Sequence, residues 1–179
     1  MTLYTQHTKL QKKDITKQLK TFYQEDRAAL DLSTIYATRK NDPHITATLI
    51  AEENLIVSGL SIADVIFEKY TVTKHKQDGE LCNIDQPICS ISAPASMLLS
   101  YERVLLNLIQ RMSGIASLTY KYVSTLNSSK IKILDTRKTT PGLRLFEKHA
   151  VCVGGGYNHR FDLYEGVMIK DNHLIIIEN

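Results

Sequence analysis

In the first third of the chain, the spacing of apolar positions is typical of a helix in some stretches and of a strand in others. Residues 8–32 show an imperfect helical face, formed by Leu19, Phe22, Tyr23, Leu30 and Leu32. Short apolar runs at 46–50 and 55–60 predict two strands. Ser61 then stands where a helix N-cap is expected, followed by the apolar face of Val65, Ile66 and Tyr70.

The next stretch, residues 71–93, alternates in the manner of short strands. Its strands are separated by turn signals at Asp78-Gly79 and at Asp85-Gln86-Pro87. A helix, several short strands and frequent turns together predict a small α+β domain with sandwich-like layers. We place this N-terminal domain at residues 1–95.

A sustained helical face follows the α+β segment. Its members recur at alternating steps of three and four, and they are Leu98, Tyr101, Leu105, Leu108, Met112, Ile115, Thr119, Tyr122 and Leu126. Pro94 and Ser96 precede this helix, and residues 127–129 follow it. Gly114 interrupts the pattern, so a kink or a division into two helices is expected there.

The last third of the chain has a β/α rhythm. We expect a strand at 130–134, a helix at 143–153, a glycine turn at 154–156 and a second strand at 166–169. Strand, helix and strand within about 40 residues predict a parallel βαβ unit of the kind that builds α/β barrels. The fold class is therefore α/β, with a second domain at residues 96–179 whose apolar tail, 174–177, ends an open sheet.

Composition excludes several classes of protein. With 43% hydrophobic and 23% charged residues, the chain has the profile of a globular protein, and no apolar run is long enough to span a bilayer. The net charge of +3 is too small to indicate nucleic acid. Three widely spaced cysteines and an N-terminus without a signal-peptide pattern predict a reduced, cytoplasmic protein.

Cationic side chains are concentrated in the last third of the chain. Between residues 130 and 160 there are seven Lys or Arg and two acids. Arg137 and Lys138 follow the first predicted strand, Lys170 follows the second, and Arg160 lies between them. Because chemistry in α/β barrels sits at the carboxyl ends of strands, these four cations are expected to gather around a polyanion. The alternative is that they are solvated surface charges.

Two features near these cations are open to more than one interpretation. The triplet 154–156 either brings backbone amides to a phosphate or forms the turn that closes a helix, the more common case. His159 either donates to a carboxylate or transfers a proton. Cys152, His159 and His173 match no short zinc-ligand spacing. Hydrolase, ATPase and dinucleotide motifs are absent from the sequence.

Six short motifs of the sequence resemble those of the quinolinate phosphoribosyltransferase family, also called nicotinate-nucleotide pyrophosphorylase (carboxylating). They are ERVLLN at 102–107, QRMSGIA at 110–116, DTRKTTPGLR at 135–144, EKHAV at 147–151, GGGYNHR at 154–160 and IKDNH at 169–173. They occur in the family's order with closely similar spacing, densely from about residue 95 onward. Together they are highly specific.

The resemblance implies transfer of phosphoribose from phosphoribosyl pyrophosphate to quinolinate, with decarboxylation to nicotinate mononucleotide in NAD biosynthesis. It implies these substrate-binding residues: Arg103, Thr136, Arg137, Lys138, His159, Arg160 and Lys170. Lys138 and Lys170 are the implied catalytic pair. Cations around the ring would stabilise the carbanion-like charge left by decarboxylation.

The same resemblance implies a partner subunit and a metal. Arg103 would reach the site of a neighbouring subunit, which makes the protein a homodimer. Mg²⁺ would accompany phosphoribosyl pyrophosphate and assist departure of pyrophosphate. No residue of this chain is assigned as its ligand, because the family's acidic, metal-facing residues are expected beyond Asn179.

Length also sets an expectation. A barrel takes about 200 residues or more, and the family's barrel continues past the IKDNH phrase. We therefore expect a C-terminally truncated chain with an incomplete barrel and no turnover by itself. The alternatives are a related phosphoribosyltransferase-like protein of the molybdenum-associated type, or a non-catalytic truncated paralogue that binds intact relatives or nucleic acid.

Overall fold

The computed structural model describes residues 4–128 and 130–177, and it shows an α+β layer joined to a shorter helical segment by one long helix. The helices are α1 (Lys12–Asp26), α2 (Leu32–Thr38), α3 (Leu60–Ile66), α4 (Ala95–Leu126), α5 (Arg144–Val153) and α6 (Asp171–Ile177), with a 3₁₀ turn at Ala28–Leu30. The strands are β1 (His44–Ile50), β2 (Leu55–Ile56), β3 (Thr71–Lys74), β4 (Leu81–Cys82) and β5 (Pro87–Pro94).

The larger sheet is antiparallel, with β5 between β1 and β3. Alternate residues of β5, namely Cys89, Ile91 and Ala93, are buried, as expected for a strand with one face on a core. Residues of α1, α3 and α4 belong to the same apolar cluster. The predicted strand at 46–50 and the predicted turns at Asp78-Gly79 and Asp85 are confirmed.

Two predictions for the N-terminal half are wrong in their boundaries. The predicted strand at 55–60 pairs only at Leu55–Ile56, and α3 already begins at Leu60. Ser61 is not the cap of α3. The carboxylate of Asp78, which lies 18 positions further along the chain, accepts the N–H of Leu60 at 3.0 Å, so a distant turn supplies the cap.

The predicted helix at 8–32 is also shorter than expected. It ends at Asp26, where Arg27 adopts a left-handed conformation with φ of 50°. The apolar face therefore divides: Ile15 and Leu19 are buried in the core, whereas Leu30 and Leu32 are exposed. These last two residues belong to the 3₁₀ turn and to α2, which follow at a different angle.

Helix α4 is continuous over 32 residues, so the predicted break at Gly114 does not occur. Residues on both sides of Gly114 hold the helix to the sheet layer. Ser113 Oγ accepts the N–H of Ser58 at 3.1 Å, and Ser117 Oγ accepts the N–H of Ile56 at 2.8 Å. Helix α4 packs on α5 as well as on the N-terminal elements. The division into domains at residues 95 and 96 stays a prediction.

The predicted βαβ unit is only partly formed, and the segment that pairs with 130–134 is not the one predicted. Helix α5 matches the predicted helix, but 130–134 forms only one parallel bridge, between Leu134 and Tyr157. The N–H of Asp135 donates to the carbonyl of Tyr157 at 3.0 Å, and the N–H of Tyr157 donates to that of Ile133 at 2.8 Å. Residue 157 thus occupies the place that the sequence assigned to 166–169.

Two further predictions near the C-terminal end are wrong. Residues 166–169 form no strand, because a strand needs a neighbour for its backbone groups and none lies beside them in the described part of the chain. The tail at 174–177 belongs to α6 and not to a sheet. The N–H groups of His173 and Leu174 donate to the carbonyl of Lys170, and Asp171 occupies the first turn, where a carboxylate suits the helix dipole.

The glycine turn at 154–156 closes α5 and packs tightly on α4. The N–H groups of Gly154, Gly155 and Gly156 donate to carbonyls within α5 at 2.9–3.0 Å, so they are not directed at a ligand. A Cβ atom at Gly154 would lie 2.4 Å from the carbonyl oxygen of Ala116 and 2.7 Å from Cβ of Thr119. The helix-closing interpretation of the triplet is confirmed.

None of the helices in the described ranges is long and apolar enough to cross a membrane.

Substitution of Gly154 tests this close contact between α5 and α4. We expect Gly154→Ala to lower the free energy of unfolding by about 1–3 kcal/mol, because the added methyl group must displace the α4 backbone. Urea denaturation measures the change. The matched control is Gly114→Ala, where nothing lies within 4 Å of an added Cβ, and it should stabilise α4 by about 0.5–1 kcal/mol. Equal effects at the two positions would contradict the packing described here.

Candidate functional site

Three segments of the last third of the chain meet at one cavity of about 380 Å³. Its lining residues are Asp135, Thr136, Arg137, Lys138, His159, Arg160, Met168 and Lys170. Six of the seven predicted substrate-binding residues are therefore together, and Arg103 is the exception. The predicted catalytic pair, Lys138 and Lys170, lies in the same cavity.

The parallel bridge between Leu134 and Tyr157 explains why the first two segments meet. Both chains leave this bridge in the same direction, so the residues that follow each of them emerge side by side. The segment 135–138 carries Arg137 and Lys138, and the segment 158–160 carries His159 and Arg160. Residues 168–170 approach this pair as irregular chain.

The two arginines of the cavity are partly withdrawn from solvent. Arg160 is buried, and its Nη1 donates to the carbonyl of Gly166 at 2.6 Å. Arg137 has a buried Nε for which the described residues provide no hydrogen-bond partner. A buried guanidinium N–H without an acceptor costs free energy.

Beneath the cavity lies a buried ion pair that the sequence analysis did not single out. Lys148 of α5 has no exposed side-chain surface, and its Nζ lies 2.6 Å from Oδ1 of Asp135. The same Nζ donates to the carbonyl of His159 at 2.9 Å, and the N–H of His159 donates to Asp135 Oδ1 at 2.8 Å. The pair thus joins both cation-bearing segments to one helix.

Asn158 completes this connection and was also missed as a functional residue. Its Nδ2 donates to Asp135 Oδ2 at 2.7 Å and to the carbonyl of Lys148 at 2.8 Å. Its Oδ1 accepts the N–H of His7 at 2.7 Å and the thiol of Cys152 at 3.1 Å. The local sequence does not distinguish Lys148 from a surface lysine, because its partner Asp135 lies 13 positions away along the chain.

The loop after the first cations is held from the opposite side. Arg111 of α4 forms a salt bridge of 2.6 Å with Glu147 of α5, and its Nη2 donates to Thr140 Oγ1 at 2.6 Å. The other carboxylate oxygen of Glu147 accepts the N–H of Thr140 at 3.3 Å. These bonds fix residue 140, two positions beyond Lys138, against both helices.

Arg103 lies outside the cation cavity. It lines a separate open depression of about 540 Å³ between α1, α4 and the loop at 141–143. Glu25, Asp26, Asn107 and Arg111 line the same depression. Arg103 therefore contributes nothing to the cation cavity of its own chain.

Burial, nearby charges and hydrogen bonds shift the pKa values of several groups behind the cavity. Burial lowers the pKa of His7, and Lys148 lowers it further. Burial also raises the pKa of the Cys152 thiol, which stays protonated at neutral pH and can donate to Asn158. Hydrogen bonds, first from the N–H of Phe161, lower the pKa of Glu165.

A second polar cluster joins α5 to the turn at Asp78. His149 Nδ1 lies 2.8 Å from the carbonyl of His7, and its Nε2 lies 3.5 Å from Asp78 Oδ2. Burial acts to raise the pKa of Asp78, but His149 and the N–H groups of Leu60 and Gly59 outweigh it and lower that pKa. The cluster connects the two halves of the chain and lies apart from the cations.

The described residues do not fit a metal site. No group of three or more His, Cys, Asp or Glu side chains close enough to bind an ion occurs in residues 4–128 and 130–177. Asp135, the acid of the cavity, accepts from Lys148, His159 and Asn158. Its oxygens are committed to these donors, so no chemical step is assigned to a metal here.

Two family profiles match consecutive parts of the chain. Residues 31–113 match the profile described as the N-terminal domain of quinolinate phosphoribosyl transferase, and residues 115–179 match that of its C-terminal domain. The probable nicotinate-nucleotide pyrophosphorylase [carboxylating] of Bacillus subtilis is 46% identical over 165 residues. The corresponding enzyme of Mycobacterium leprae is 37% identical over 161 residues.

Solved structures of similar proteins share the fold. The nicotinate-nucleotide pyrophosphorylase of Francisella tularensis superimposes with a TM-score of 0.86 at 33% identity, covering 96% of this chain and 61% of that one. NadC from Streptococcus pyogenes gives 0.86 at 38% identity, with coverages of 96% and 62%. The alignments to the B. subtilis and M. leprae proteins cover 89% and 87% of this chain. The chain spans 56% of the length of each of these two relatives.

Removal of the Lys148 charge tests the network beneath the cavity. We expect Lys148→Met to lower the free energy of unfolding by about 3–5 kcal/mol, because Asp135 becomes a buried charge without its counter-ion. Lys121→Met, on the exposed surface of α4, is the matched control and should change stability by no more than about 0.5 kcal/mol.

The double variant Asp135→Asn/Lys148→Met separates pairing from packing. It should be less destabilised than the sum of its two single variants, because neither partner then leaves an unpaired charge. Additive losses in urea denaturation would show that the two side chains contribute independently.

Proposed function

The chain belongs to the quinolinate phosphoribosyl transferase family, and on this premise we propose that it serves the transfer of phosphoribose from phosphoribosyl pyrophosphate to quinolinate, with decarboxylation, in NAD biosynthesis. The products would be nicotinate mononucleotide, pyrophosphate and carbon dioxide. The chain spans little more than half of its relatives' length, and the reaction is therefore a proposal for this chain.

One observation carries the proposal most directly. Four cationic side chains line one cavity, those of Arg137, Lys138, Arg160 and Lys170, and Asp135, the acid among the lining residues, is already paired with Lys148. Like charges held together in this way repel one another, and an anionic ligand relieves that repulsion. Quinolinate is a dicarboxylate of suitable charge.

The proposed roles follow from position in the cavity. Arg137, His159 and Arg160 bind the two carboxylates of quinolinate, with the N–H of Lys138 fixed by Thr136 Oγ1 at 3.0 Å. The ring nitrogen attacks the anomeric carbon of the ribose as the bond to pyrophosphate breaks. The carbon–carboxylate bond then breaks, its electron pair stays on the ring carbon, and a proton replaces carbon dioxide.

The exposed lysines of the cavity suit the charged stages of this sequence. Lys138 and Lys170 are mobile point charges, in contrast to the half-buried Arg137 and the buried Arg160. We assign them to the reacting centre, where cations stabilise both the developing pyrophosphate charge and the carbanion-like ring. Magnesium accompanying phosphoribosyl pyrophosphate stays part of the proposal, with no ligand assigned in this chain.

We also propose a homodimer in which Arg103 serves the cavity of the partner subunit. Support comes from its absence from the cavity of its own chain and from apolar residues exposed nearby. These residues are Leu30, Leu32, Ile35, Tyr36 and Leu99, which are 46–80% exposed. Burial of such side chains is a main source of dimer stability.

A cytoplasmic location is proposed from the chain's own features. Its cysteines are free thiols, two of them buried and the third half-buried, as expected in a reducing compartment. Some plant relatives carry names that include chloroplastic or mitochondrial. The proposal concerns this chain alone.

Calorimetric titration with quinolinate tests the function. We expect the 179-residue chain to bind quinolinate, and Arg137→Ala to weaken binding by roughly 10- to 100-fold, since a hydrogen bond to a charged group contributes about 1.5–3 kcal/mol. Lys121→Ala, remote from the cavity, is the matched control for loss of one positive charge. Absence of binding at millimolar quinolinate would contradict the proposal and favour the molybdenum-associated type of paralogue.

Mixing of two defective proteins tests the role of Arg103. Arg103→Ala and Arg137→Ala should each weaken quinolinate binding alone. A mixture of the two should regain binding in heterodimers, because one of the two cavities then has both arginines. No regain in a mixture shown by native mass spectrometry to contain heterodimers would place Arg103 outside the partner's cavity.

A further inference from the structure

The N-terminal segment, residues 4–7, lies against the cation cavity although it belongs to the opposite end of the chain. The side chain of Gln6 binds both backbone polar groups of Asn158: Oε1 accepts its N–H at 2.8 Å, and Nε2 donates to its carbonyl at 3.0 Å. The N–H of His7 donates to Asn158 Oδ1 at 2.7 Å. Asn158 thus makes three hydrogen bonds with this segment, donating one and accepting two.

A second contact fixes the segment to the chain that follows the cavity. The N–H of Thr5 donates to Glu165 Oε1 at 2.9 Å, while Glu165 Oε2 accepts the N–H of Phe161. The ring of Phe161 lies 4.9 Å from that of His7, measured between centroids. Residues on both sides of Arg160 are therefore held by residues 5–7.

Tyr4 contacts His159, one of the residues that line the cavity. Its ring packs on the imidazole of His159, with centroids 4.5 Å apart and planes inclined by 35°. It also lies on Gly166, where an added Cβ would be 3.0 Å from Tyr4 Cε1. The carbonyl of Gly166 is the acceptor for Arg160, so one aromatic ring contacts both His159 and the residue that holds Arg160.

The side chain of His159 is held differently from its backbone. Within the part of the chain that the structure describes, its backbone is held by Asp135 and Lys148, but its imidazole nitrogens make no hydrogen bond to protein. Packing against the ring of Tyr4 limits the rotation of this imidazole about its side-chain bonds. An imidazole kept free of protein partners can give both nitrogens to a ligand.

We propose that Tyr4 is a positioning residue, whose ring holds the imidazole of His159 in the orientation that meets a ligand carboxylate. This inference rests on the proposed function for the identity of the ligand, but not for the contact between the two rings. The N-terminal segment is then a part of the substrate site. The packing requires an aromatic ring, whereas the Tyr4 hydroxyl has no assigned role.

Three variants test the proposal. In Tyr4→Ala the ring is lost, and quinolinate affinity in calorimetry should fall by roughly 2- to 12-fold, the range expected for loss of one aromatic pair. Tyr4→Phe keeps the ring and should restore wild-type affinity. Tyr164→Ala is the matched control, because Tyr164 is 99% exposed and should leave affinity unchanged.

A spectroscopic measurement reads the position of His159 without substrate. In wild type and in Tyr4→Phe, cross-relaxation between ring protons of residue 4 and His159 should be observed by NMR, with the His159 ring protons shifted by the aromatic ring. In Tyr4→Ala this shift should disappear, while urea denaturation shows the chain still folded. Should Tyr4→Ala unfold, Tyr4→Leu fills the volume without a ring and should give the same loss.

The outcomes separate the two proposals. If wild type does not bind quinolinate but the ring contact and its loss are observed, the proposed function fails and the positioning of His159 stands. If wild type binds and Tyr4→Ala binds equally well, with unchanged His159 signals, the positioning proposal is overturned alone. Loss of affinity in Tyr4→Phe would also overturn it, because the hydroxyl and not the ring would then matter.

Discussion

The cavity depends on one physical requirement, which is that the charge of Lys148 must not be left unpaired in the protein interior. An ammonium group withdrawn from water costs several kcal/mol unless a counter-ion and hydrogen bonds replace the solvent. Asp135 and the carbonyl of His159 meet that requirement at 2.6 and 2.9 Å. In doing so they bring the ends of two parallel segments to one point on α5, and the cations of the cavity follow directly after them.

This arrangement also sets the charge of the cavity. Asp135 is the acid among the residues that line the cavity, and its charge is already paired with Lys148 from below. Within the part of the chain that the structure describes, the four cations of the cavity form no salt bridge. The packing of α5 on α4 keeps these cations close together despite their mutual repulsion. A bound anion would relieve the repulsion, and the free energy so released would contribute to the affinity for the anion.

The sequence predicts those features that are encoded locally. The face of α4 and the cation phrases near Arg137 and Arg160 are contiguous patterns, and the structure contains both. Features that depend on distant partners were missed or misassigned. Asp78 caps a helix 18 positions earlier, and Lys148 is indistinguishable in sequence from a surface lysine until Asp135 is brought beside it.

The contacts of the N-terminal segment have a consequence for the order of folding. Thr5 and Glu165 are 160 positions apart, and Gln6 and Asn158 are 152 apart. Contacts of such separation require closure of a very long loop, and they form only after the intervening elements have collapsed. During synthesis, Thr5 and Gln6 would wait without these partners until some 150 to 160 further residues had followed. The cation cavity would therefore be among the last parts of the molecule to acquire its final shape.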